Sequence, residues 1–229
     1  MTNQTIFKTR QATVGIDGIS DLFPVHRIYC VGQNYAAHAI EMGSDPDKQS
    51  PFFFTKPADA VIQSSQVPYP SQTSSLHHEV ECVVAIGQSG SEVDARQAEE
   101  MIYGYTVGID LTRRDIQSIA KQKGRPWDVA KGFDNSAPLA NLVTKAHWNF
   151  DTEADIQLEV NGVIRQQAKL NHLIWSIPEL ISELSKYYHL QPGDLIFTGT
   201  PSGVAALVPG DKVKATIHGL AELNIEIIA

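Results

Sequence analysis

Two acidic residues interrupt an otherwise apolar stretch of the sequence. Glu79 and Glu81 flank Val80 and are followed by the apolar run 82–86. Because side chains alternate between the two faces of a strand, both carboxylates are expected to point the same way. Like charges at that spacing repel, and burial of an unpaired charge is costly, so a bound cation is the simplest explanation for a buried pair. Carboxylate oxygens are hard ligands, which favours Mg²⁺, Mn²⁺ or Ca²⁺. An E-x-E pattern taken alone is more often the solvated face of an edge strand, because acids are seldom buried.

A histidine and an acid lie three residues apart in a predicted short helix. Asn34 is suited to cap a helix over residues 35–42. Residues three apart are neighbours on a helix, so Glu41 can orient the imidazole of His38 for general base catalysis. The helix runs into the polar residues 44–50, and we expect it to act as a lid. A solvated surface pair is the alternative explanation.

A third group of polar residues follows a predicted strand at Ile102–Ile109. The strand ends in Asp110, and a helix predicted over residues 112–123 places Arg114 and Gln117 on one face. An arginine and an amide aimed together beside an acid suit the binding of a carboxylate or keto group. A solvated helix face explains these two residues equally well.

A glycine-containing loop and two lysines are further candidates. The loop 198–204 follows a predicted strand, and its backbone N–H groups and the Thr200 hydroxyl can hold an anionic end of a substrate. It lacks the Gly-Lys-Ser/Thr ending of a phosphate-binding P-loop. Lys131 is of interest only through its surroundings, because lysine is normally a surface residue. Lys56 ends an aromatic strand and is interpreted as structural.

The elements that must position these residues are mostly strands. Asn161-Gly162 within an alternating segment predicts a β-hairpin with a type I′ turn. The few helices are short, and their starts are marked by residue pairs typical of helix N-termini: Asp94 with Gln97, Thr112 with Asp115, and Ser176 with Glu179. The sequence therefore predicts a strand-rich α+β protein with peripheral helices.

The composition is typical of a globular protein. Of 229 residues, 42% are hydrophobic and 19% are charged, and the formal net charge is -8. Because no Lys/Arg stripe offsets this charge, it argues against a nucleic-acid or anionic-membrane surface. The sequence shows neither an apolar run long enough to span a bilayer nor an amino-terminal signal, so we predict a cytoplasmic protein. Cys30 and Cys82 each lie in an apolar run and are predicted to be reduced core thiols.

Six stretches of the chain, each weak alone, form an ordered and specific set. They are residues 31–35 with His38 and Glu41, residues 54–57, residues 78–81, residues 108–110 with 113–115, residues 131–134, and residues 192–196 with 198–201. In this order they resemble the fumarylacetoacetate hydrolase family in its short, single-domain form, and within it the acylpyruvate and fumarylpyruvate hydrolases. The resemblance runs from about Arg27 to the carboxyl end.

This resemblance implies a fold and a metal site. The fold is a twisted β-roll of mixed strands with peripheral helices, formed by residues 25–229, with residues 1–24 as a short extension packed on the core. Glu79, Glu81 and Asp110 are implied to bind one divalent metal ion, Mg²⁺ or Mn²⁺, with Ca²⁺ as an alternative in crystals. Three carboxylates leave about three octahedral positions for water and substrate. Most members are homodimers, which we also expect here.

The resemblance also implies a reaction. Members of the family cleave C–C bonds of β-diketo acids, or decarboxylate or isomerise related 2-oxo acids. We expect hydrolysis of an acylpyruvate, with fumarylpyruvate favoured, to release pyruvate. His38, oriented by Glu41, would take a proton from water, and Lys131 with the metal would stabilise the pyruvate enolate. The remaining polar residues of the motifs are implied to bind substrate: Arg114 and Gln117 at the 2-oxo acid end, Gly199 and Thr200 at the acyl end.

Two other functions remain open. A decarboxylase of oxaloacetate, or a related 2-oxo acid isomerase, would use the same metal and Lys131 but would need no water activated by His38. A non-catalytic 2-oxo acid binding protein would show no turnover with Mg²⁺. The presence of every expected site residue argues against this last function.

Overall fold

The computed structural model describes residues 6–7, 9–41 and 49–229, which form two large sheets and three small ones. The strands are β1 Thr13–Ile16, β2 Ile19–Pro24, β3 Ile28–Gly32, β4 Phe52–Lys56, β5 Val61–Ile62, β6 Gln66–Pro68, β7 Leu76–His77, β8 Val80–Ile86, β9 Ile102–Ile109, β10 Thr112–Arg113, β11 Ala137–Pro138, β12 Val143–Thr144, β13 Asp155–Val160, β14 Val163–Lys169, β15 Leu195–Phe197, β16 Ala206–Leu207, β17 Lys212–Ile217 and β18 Ala221–Ile228. The α-helices are α1 Ala36–Glu41, α2 Ala95–Glu100, α3 Arg114–Gln122, α4 Asp128–Lys131 and α5 Ile177–Ser185.

The two large sheets are mixed. The six-stranded sheet has the order β12-β9-β8-β15-β3-β4, and the five-stranded sheet has the order β14-β13-β17-β18-β6. Only the β15–β3 and β18–β6 pairs are parallel among the neighbours in these two sheets. The small sheets are β1-β2, β10-β7-β16 and β11-β5. The prediction of a strand-rich α+β fold with mixed sheets and peripheral helices is therefore confirmed.

The apolar core lies on both faces of the six-stranded sheet. On one face, Val80, Cys82 and Val84 of β8 pack with residues of β13, β17 and β18 from the five-stranded sheet. On the other face, Val83 belongs to a second cluster that includes residues of the β1–β2 hairpin. The predicted alternation therefore holds along β8, and Glu81 lies on the face of Val83.

Local sequence signals account for several of the turns and helix starts. Asn161 and Gly162, with φ values of 52° and 76°, join β13 to β14 in the conformation that a type I′ turn requires. The predicted pairs Asp94 with Gln97 and Ser176 with Glu179 form capping boxes at the starts of α2 and α5. In each of these places the signal and the structure it specifies are adjacent in the chain.

The pair Thr112 with Asp115 does not start a helix, and this prediction is wrong. Thr112 belongs to β10, which pairs with β7, and α3 begins at Arg114. The Asp115 carboxylate instead accepts hydrogen bonds from the Thr73 hydroxyl at 2.6 Å and from the N–H of Ser74 at 3.0 Å. The Asp115 side chain therefore binds the loop at Thr73 and Ser74, which is distant in sequence, and does not form the predicted capping box with Thr112.

The amino-terminal part packs on the body of the protein. The β1–β2 hairpin contributes Val14 and Phe23 to the second apolar cluster; a boundary between residues 1–24 and 25–229 stays a prediction. Cys30 and Cys82 are buried and free of disulfides, as predicted. No helix among the described residues has the length and apolar character needed to cross a bilayer.

Candidate active site

Three acids meet at one end of the β8–β9 pair. These strands are antiparallel, so the residue before β8 faces the residue after β9. The N–H of Asp110 accordingly donates to the carbonyl oxygen of Glu79 at 2.8 Å. One carboxylate oxygen from each of Glu79, Glu81 and Asp110 lies within 4.8 Å of the other two, and all three residues are buried. The structure thus brings together the three residues predicted to bind a metal, and hard oxygen donors at this spacing fit one divalent ion.

Glu79 itself lies just outside β8. The segment is interrupted at His78 and Glu79, between β7 and β8. Here the side chain of Gln166 supplies the acceptor: its Oε1 accepts from the N–H of Val80 at 3.1 Å and lies 2.8 Å from Nδ1 of His78. Glu79 therefore precedes β8, because the side chain of Gln166 in β14 accepts the hydrogen bond that a neighbouring strand would otherwise accept from Val80.

Three buried or nearly buried cations surround the acids. Lys131 Nζ lies 2.8 Å from Glu79 Oε2 and 2.7 Å from Asp110 Oδ2. Lys56 Nζ lies 2.8 Å from Asp110 Oδ1, and Arg114 forms an ion pair with Glu79. The formal charges of three carboxylates and three cations cancel, which lowers the cost of burying them together.

Burial and neighbouring charges move the pKa values of these groups in different directions. Burial acts to raise the pKa of Glu79, but the positive charges of Lys131 and Arg114 outweigh it, and the pKa is lowered. The pKa of Glu81 is raised, first by burial and then by the negative charges of Asp110 and Glu79. Burial acts to lower the pKa of Lys131, but the two acids beside it outweigh burial, and the pKa is raised. Of the two glutamates, Glu81 is therefore the one that more readily holds a proton.

The histidine and the acid of α1 are in contact. His38 Nδ1 lies 3.2 Å from Glu41 Oε2, and His38 is buried. The N–H of Gly203 donates to the Glu41 carboxylate at 3.2 Å, so the loop after β15 anchors the acid. The predicted pair thus forms, and its acid is held from two sides. With Nδ1 turned to Glu41, Nε2 is the nitrogen left for chemistry.

The start of α1 differs from the prediction. The side chain of Asn34 does not cap the helix, because its Oδ1 accepts from the N–H of Trp175 at 2.8 Å and its Nδ2 donates to the carbonyl oxygen of Thr198 at 2.8 Å. Asn34 therefore ties the turn before α1 to the loop after β15. Residues 42–48, which include the predicted helix end and most of the polar loop, lie outside the described residues.

Arg114 and Gln117 lie together on α3, as predicted. Arg114 donates through one terminal nitrogen to Gln117 Oε1 and through the other to Glu79. Gln117 is buried and lines the same pocket as the acids. In this arrangement Arg114 holds a member of the acidic triad and orients the amide of Gln117. Its predicted contact with a substrate stays a prediction.

The loop after β15 contacts the acids through its backbone. The N–H of Gly199 donates to Glu81 Oε2 at 2.6 Å. Gly199 has a φ of 100°, and a Cβ there would lie 2.7 Å from the Cβ of Asn34, so only glycine fits. The Thr200 hydroxyl donates to the carbonyl oxygen of Val80 and accepts from Gln166 Nε2, both at 2.8 Å. Since that hydroxyl already donates inside the protein, it is not free in this arrangement to donate to an anionic ligand, and its predicted contact with a substrate stays a prediction.

Many of these groups line one pocket of about 390 Å³, a volume that includes space open to solvent, whereas Glu41, Asp110 and Gly199 are not among its lining residues. Its lining includes most of the predicted site residues together with side chains that sequence reasoning did not select. The predicted residues are His38, Glu79, Glu81, Arg114, Gln117, Lys131 and Thr200. The residues not selected are Val31, Gly32, Gln33, Phe52, Phe54, Lys121 and Trp127.

Two supporting residues were also missed. The sequence favours a structural role for Lys56, although its position in the 54–57 motif is a signal that it belongs to the site. Gln166 gave no signal, because it lies in an alternating, mostly polar strand. In the structure Lys56 pairs with Asp110, and Gln166 links β8 to Thr200.

Comparison with known proteins identifies the family. The family described as fumarylacetoacetate (FAA) hydrolase C-terminal matches residues 27–228. A fumarylpyruvate hydrolase from a Ralstonia species is 45% identical over 189 residues, which are 81% of this chain and 98% of that protein. A mitochondrial oxaloacetate decarboxylase from Dictyostelium discoideum is 39% identical over 205 residues, which are 88% and 94% of the two chains. This chain belongs to the fumarylacetoacetate hydrolase family, as the ordered motifs predicted.

A solved structure shows the same fold. The crystal structure of fumarylpyruvate hydrolase from Pseudomonas aeruginosa in complex with Mn²⁺ and pyruvate matches with a TM-score of 0.96 at 45% identity, covering 98% of this chain and 99% of that chain. The predicted fold class is therefore confirmed at the level of the whole chain.

Proposed function

We propose that this protein hydrolyses the C–C bond between the acyl group and the methylene carbon of an acylpyruvate, with fumarylpyruvate as the preferred substrate. The observation that carries this proposal is that His38, held by Glu41, lines the same pocket as Glu79 and Glu81, two members of the acidic triad. A base and a site for a divalent cation are the two components that hydrolysis of a β-diketo acid needs. The fumarylpyruvate hydrolase relatives support the choice of substrate.

The acidic triad would hold Mg²⁺ or Mn²⁺. Glu79, Glu81 and Asp110 offer one oxygen each within 4.8 Å, and their hard donors suit both ions as well as Ca²⁺. The relative from Pseudomonas aeruginosa contains Mn²⁺. A divalent cation held there would withdraw electron density from the oxygens of a 2-oxo acid.

The charges of the site match the charge that develops in the reaction. The three carboxylates and their three cationic partners cancel, so a divalent ion adds two uncompensated positive charges. Pyruvate enolate, the leaving group of the cleavage, carries two negative charges, one on its carboxylate and one on its enolate oxygen. A buried site stabilises a species that restores neutrality, so this balance favours the products of bond cleavage.

His38, Glu41 and Lys131 have different roles in this reaction. His38 takes a proton from water as that water adds to the distal carbonyl carbon of the substrate, and Glu41 keeps the imidazole in position. The bond from this carbon to the methylene carbon breaks, which leaves a carboxylic acid and pyruvate enolate. The ammonium group of Lys131 stabilises the enolate oxygen, and His38 returns its proton to the methylene carbon to form pyruvate.

Decarboxylation of oxaloacetate is the second candidate function. The relative from Dictyostelium discoideum that bears this name favours it. The same pyruvate enolate forms when carbon dioxide leaves oxaloacetate, so Lys131 would act in the same way. Decarboxylation consumes no water, so His38 and Glu41 would not be needed as a base that takes a proton from water.

A comparison of two substrates tests the proposal. With Mn²⁺ or Mg²⁺, the protein should convert fumarylpyruvate and water to equal amounts of fumarate and pyruvate, with a higher kcat/KM than for the loss of carbon dioxide from oxaloacetate. EDTA should stop turnover reversibly. If oxaloacetate is consumed and no acylpyruvate is cleaved, the hydrolytic proposal is wrong and the second candidate replaces it.

The assembly and location are also proposals. A homodimer is supported by the family resemblance, and light scattering after gel filtration would measure it. A cytoplasmic location is supported by the composition alone, and a tagged protein in fractionated cells would test it.

A further inference from the structure

The helix α3 presents a third polar side chain to the pocket. Lys121 lines the pocket together with Arg114 and Gln117. Residues at positions 114, 117 and 121 of a helix share one face, and the ends of this row are separated by about 10.5 Å along the axis. Arg114 lies at the end that contacts the acids, through Glu79. Lys121 is therefore about two helical turns beyond Arg114 along this face of the helix.

Lys121 differs in its partners from the cations that surround the acidic triad. Lys56, Lys131 and Arg114 each form an ion pair with a member of the acidic triad. Within the part of the chain that the structure describes, no carboxylate lies within ion-pair distance of Lys121. The pKa of Lys121 is lowered, mainly by burial and then by the positive charge of Arg114. An anion at this place would offset both effects.

An aromatic wall runs beside Lys121. Its Nζ lies 5.7 Å from the ring centroid of Trp127. The Trp127 ring in turn packs against Phe52 and Phe54 at centroid distances of 5.3 Å and 5.7 Å. Phe52 and Phe54 also line the pocket. A flat, conjugated chain fits against such a wall, and a charge at the end of that chain would meet the ammonium group.

The charge balance of the site leaves a place for one further anion. The acidic triad, its three cationic partners and a divalent ion together balance the two charges of pyruvate enolate. A fumaryl group adds a third negative charge, the distal carboxylate, which that balance does not cover. Six C–C bonds separate the two carboxyl carbons of fumarylpyruvate, a span of about 7.5 Å for an extended chain. This span fits between a carboxylate bound near Arg114 and the ammonium group of Lys121.

We propose that Lys121 binds the distal carboxylate of a dicarboxylic acylpyruvate and so selects fumarylpyruvate over acylpyruvates with an uncharged acyl end. The proposal rests on the proposed function and adds a determinant of substrate choice to it. The apolar part of the acyl chain lies against Phe52, Phe54 and Trp127. Lys121 acts in binding, whereas His38 and Lys131 act on the reacting atoms.

The test compares two substrates in four proteins. The substrates are fumarylpyruvate, which has the distal carboxylate, and acetylpyruvate, which ends in a methyl group. The proteins are the wild type, Lys121→Met, Lys121→Arg and the control Lys123→Met. Lys123 is exposed, follows the last residue of the same helix and lies outside the pocket lining, so its loss changes the net charge equally without touching the site. Thermal unfolding of each variant with Mn²⁺ checks that the fold is intact.

In Lys121→Met, kcat/KM for fumarylpyruvate should fall about tenfold. This loss is at the lower end of what a hydrogen bond to a charged group contributes, because Lys121 is exposed to solvent. The change should appear mainly in KM, and kcat/KM for acetylpyruvate should change less than about twofold. Lys121→Arg should keep most of the preference, and Lys123→Met should match the wild type.

Equal losses on both substrates, or no loss on fumarylpyruvate, would overturn the proposal for Lys121 and leave the hydrolytic function intact. A wild type that cleaves neither acylpyruvate would instead refute the proposed function, and the role of Lys121 would fall with it. The two failures are distinguishable because the second one is visible without any variant.

Discussion

Replacement of Lys131 by methionine removes a buried cation that contacts two of the three clustered acids. Lys131 is 2% exposed, and its Nζ lies 2.8 Å from Glu79 and 2.7 Å from Asp110. The variant leaves three carboxylates with two cations. Removal of one partner from a buried ion pair costs about 3 to 5 kcal/mol, because the other charge stays buried without compensation. For a chain of this size, each kcal/mol lowers Tm by about 2 to 4 °C, so Tm in EDTA should fall by about 6 to 20 °C.

Mn²⁺ should restore most of this stability. The ion brings positive charge to the same carboxylates, so the variant gains more from it than the wild type does. By linkage, a ligand that stabilises the variant more must also bind the variant more tightly. Turnover should not return, because the group that faces the developing enolate charge is absent; the loss of such a donor lowers kcat by about 10²- to 10³-fold. Stability and activity should therefore separate in this variant.

The assay is thermal unfolding in EDTA and in Mn²⁺, with kcat measured in parallel. Lys169→Met is the matched control, because its Nζ lies 2.9 Å from Glu153 in an exposed ion pair. Water screens such a pair, so this variant should unfold like the wild type in both conditions. If wild type and Lys131→Met gain the same Tm from Mn²⁺, the lysine is not coupled to the ion, and the placement of the metal at the triad is refuted.

Three further outcomes follow from the site. His38→Ala should lower acylpyruvate hydrolysis about 10²- to 10⁴-fold and oxaloacetate decarboxylation much less; equal losses would mean that His38 serves both reactions in another way. Binding of Mn²⁺ should release protons, and its affinity should rise with pH, because the raised pKa of Glu81 favours the protonated acid at low pH and the ion requires the carboxylate. Titration calorimetry in buffers with different ionisation enthalpies measures this release, which Glu81→Gln should reduce. Gln166→Leu should lower the free energy of unfolding, measured by urea denaturation, by about 3 kcal/mol, because the buried hydrogen-bond partners of Gln166 are left unsatisfied. The control Gln167→Leu changes an exposed neighbour and should lower it little.

Sequence patterns predicted those parts of the fold whose causes are local. The alternation along β8 follows from the period of a strand and needs no information from elsewhere. The turn at Asn161-Gly162 and the capping box at Asp94 depend on residues within four positions of one another. Such features are decided by neighbouring residues, so a single sequence contains what is needed to predict them.

The errors come from side chains that act across long stretches of the chain. The break before β8 depends on Gln166, which is 86 residues away from the N–H of Val80 that it binds. The start of α3 is displaced because Asp115 binds Thr73, 42 residues earlier. Asn34 binds Trp175 and Thr198 instead of its own helix. Neither propensity nor periodicity contains information on these partners.

The acidic triad shows the same limit at the level of the site. Glu79 and Glu81 alone fit a solvated strand edge as well as a metal centre, and only the ordered motifs separated the two explanations. The cationic partners explain why. Lys56 and Lys131 are distant in sequence from the acids they neutralise, and a lysine in a sequence is normally assigned to the surface. The burial of an acid pair can be inferred only when its counter-charges are known.

The buried charges also bear on how metal and substrate depend on each other. Replacement of whole buried ion pairs by apolar side chains is often neutral or stabilising, although removal of one partner is costly, so this cluster need not add net stability to the fold. Its six formal charges cancel, a divalent ion adds two positive charges, and a bound enolate removes them again. Of the metal-free site, the site with the metal ion alone and the site with both the ion and an anion, the second is therefore the least favourable electrostatically in a buried pocket. An anionic 2-oxo acid and the metal must then strengthen each other's binding, since coupling between two ligands is reciprocal. A site built in this way binds the substrate most strongly as its negative charge grows, which is the property that bond cleavage to an enolate requires.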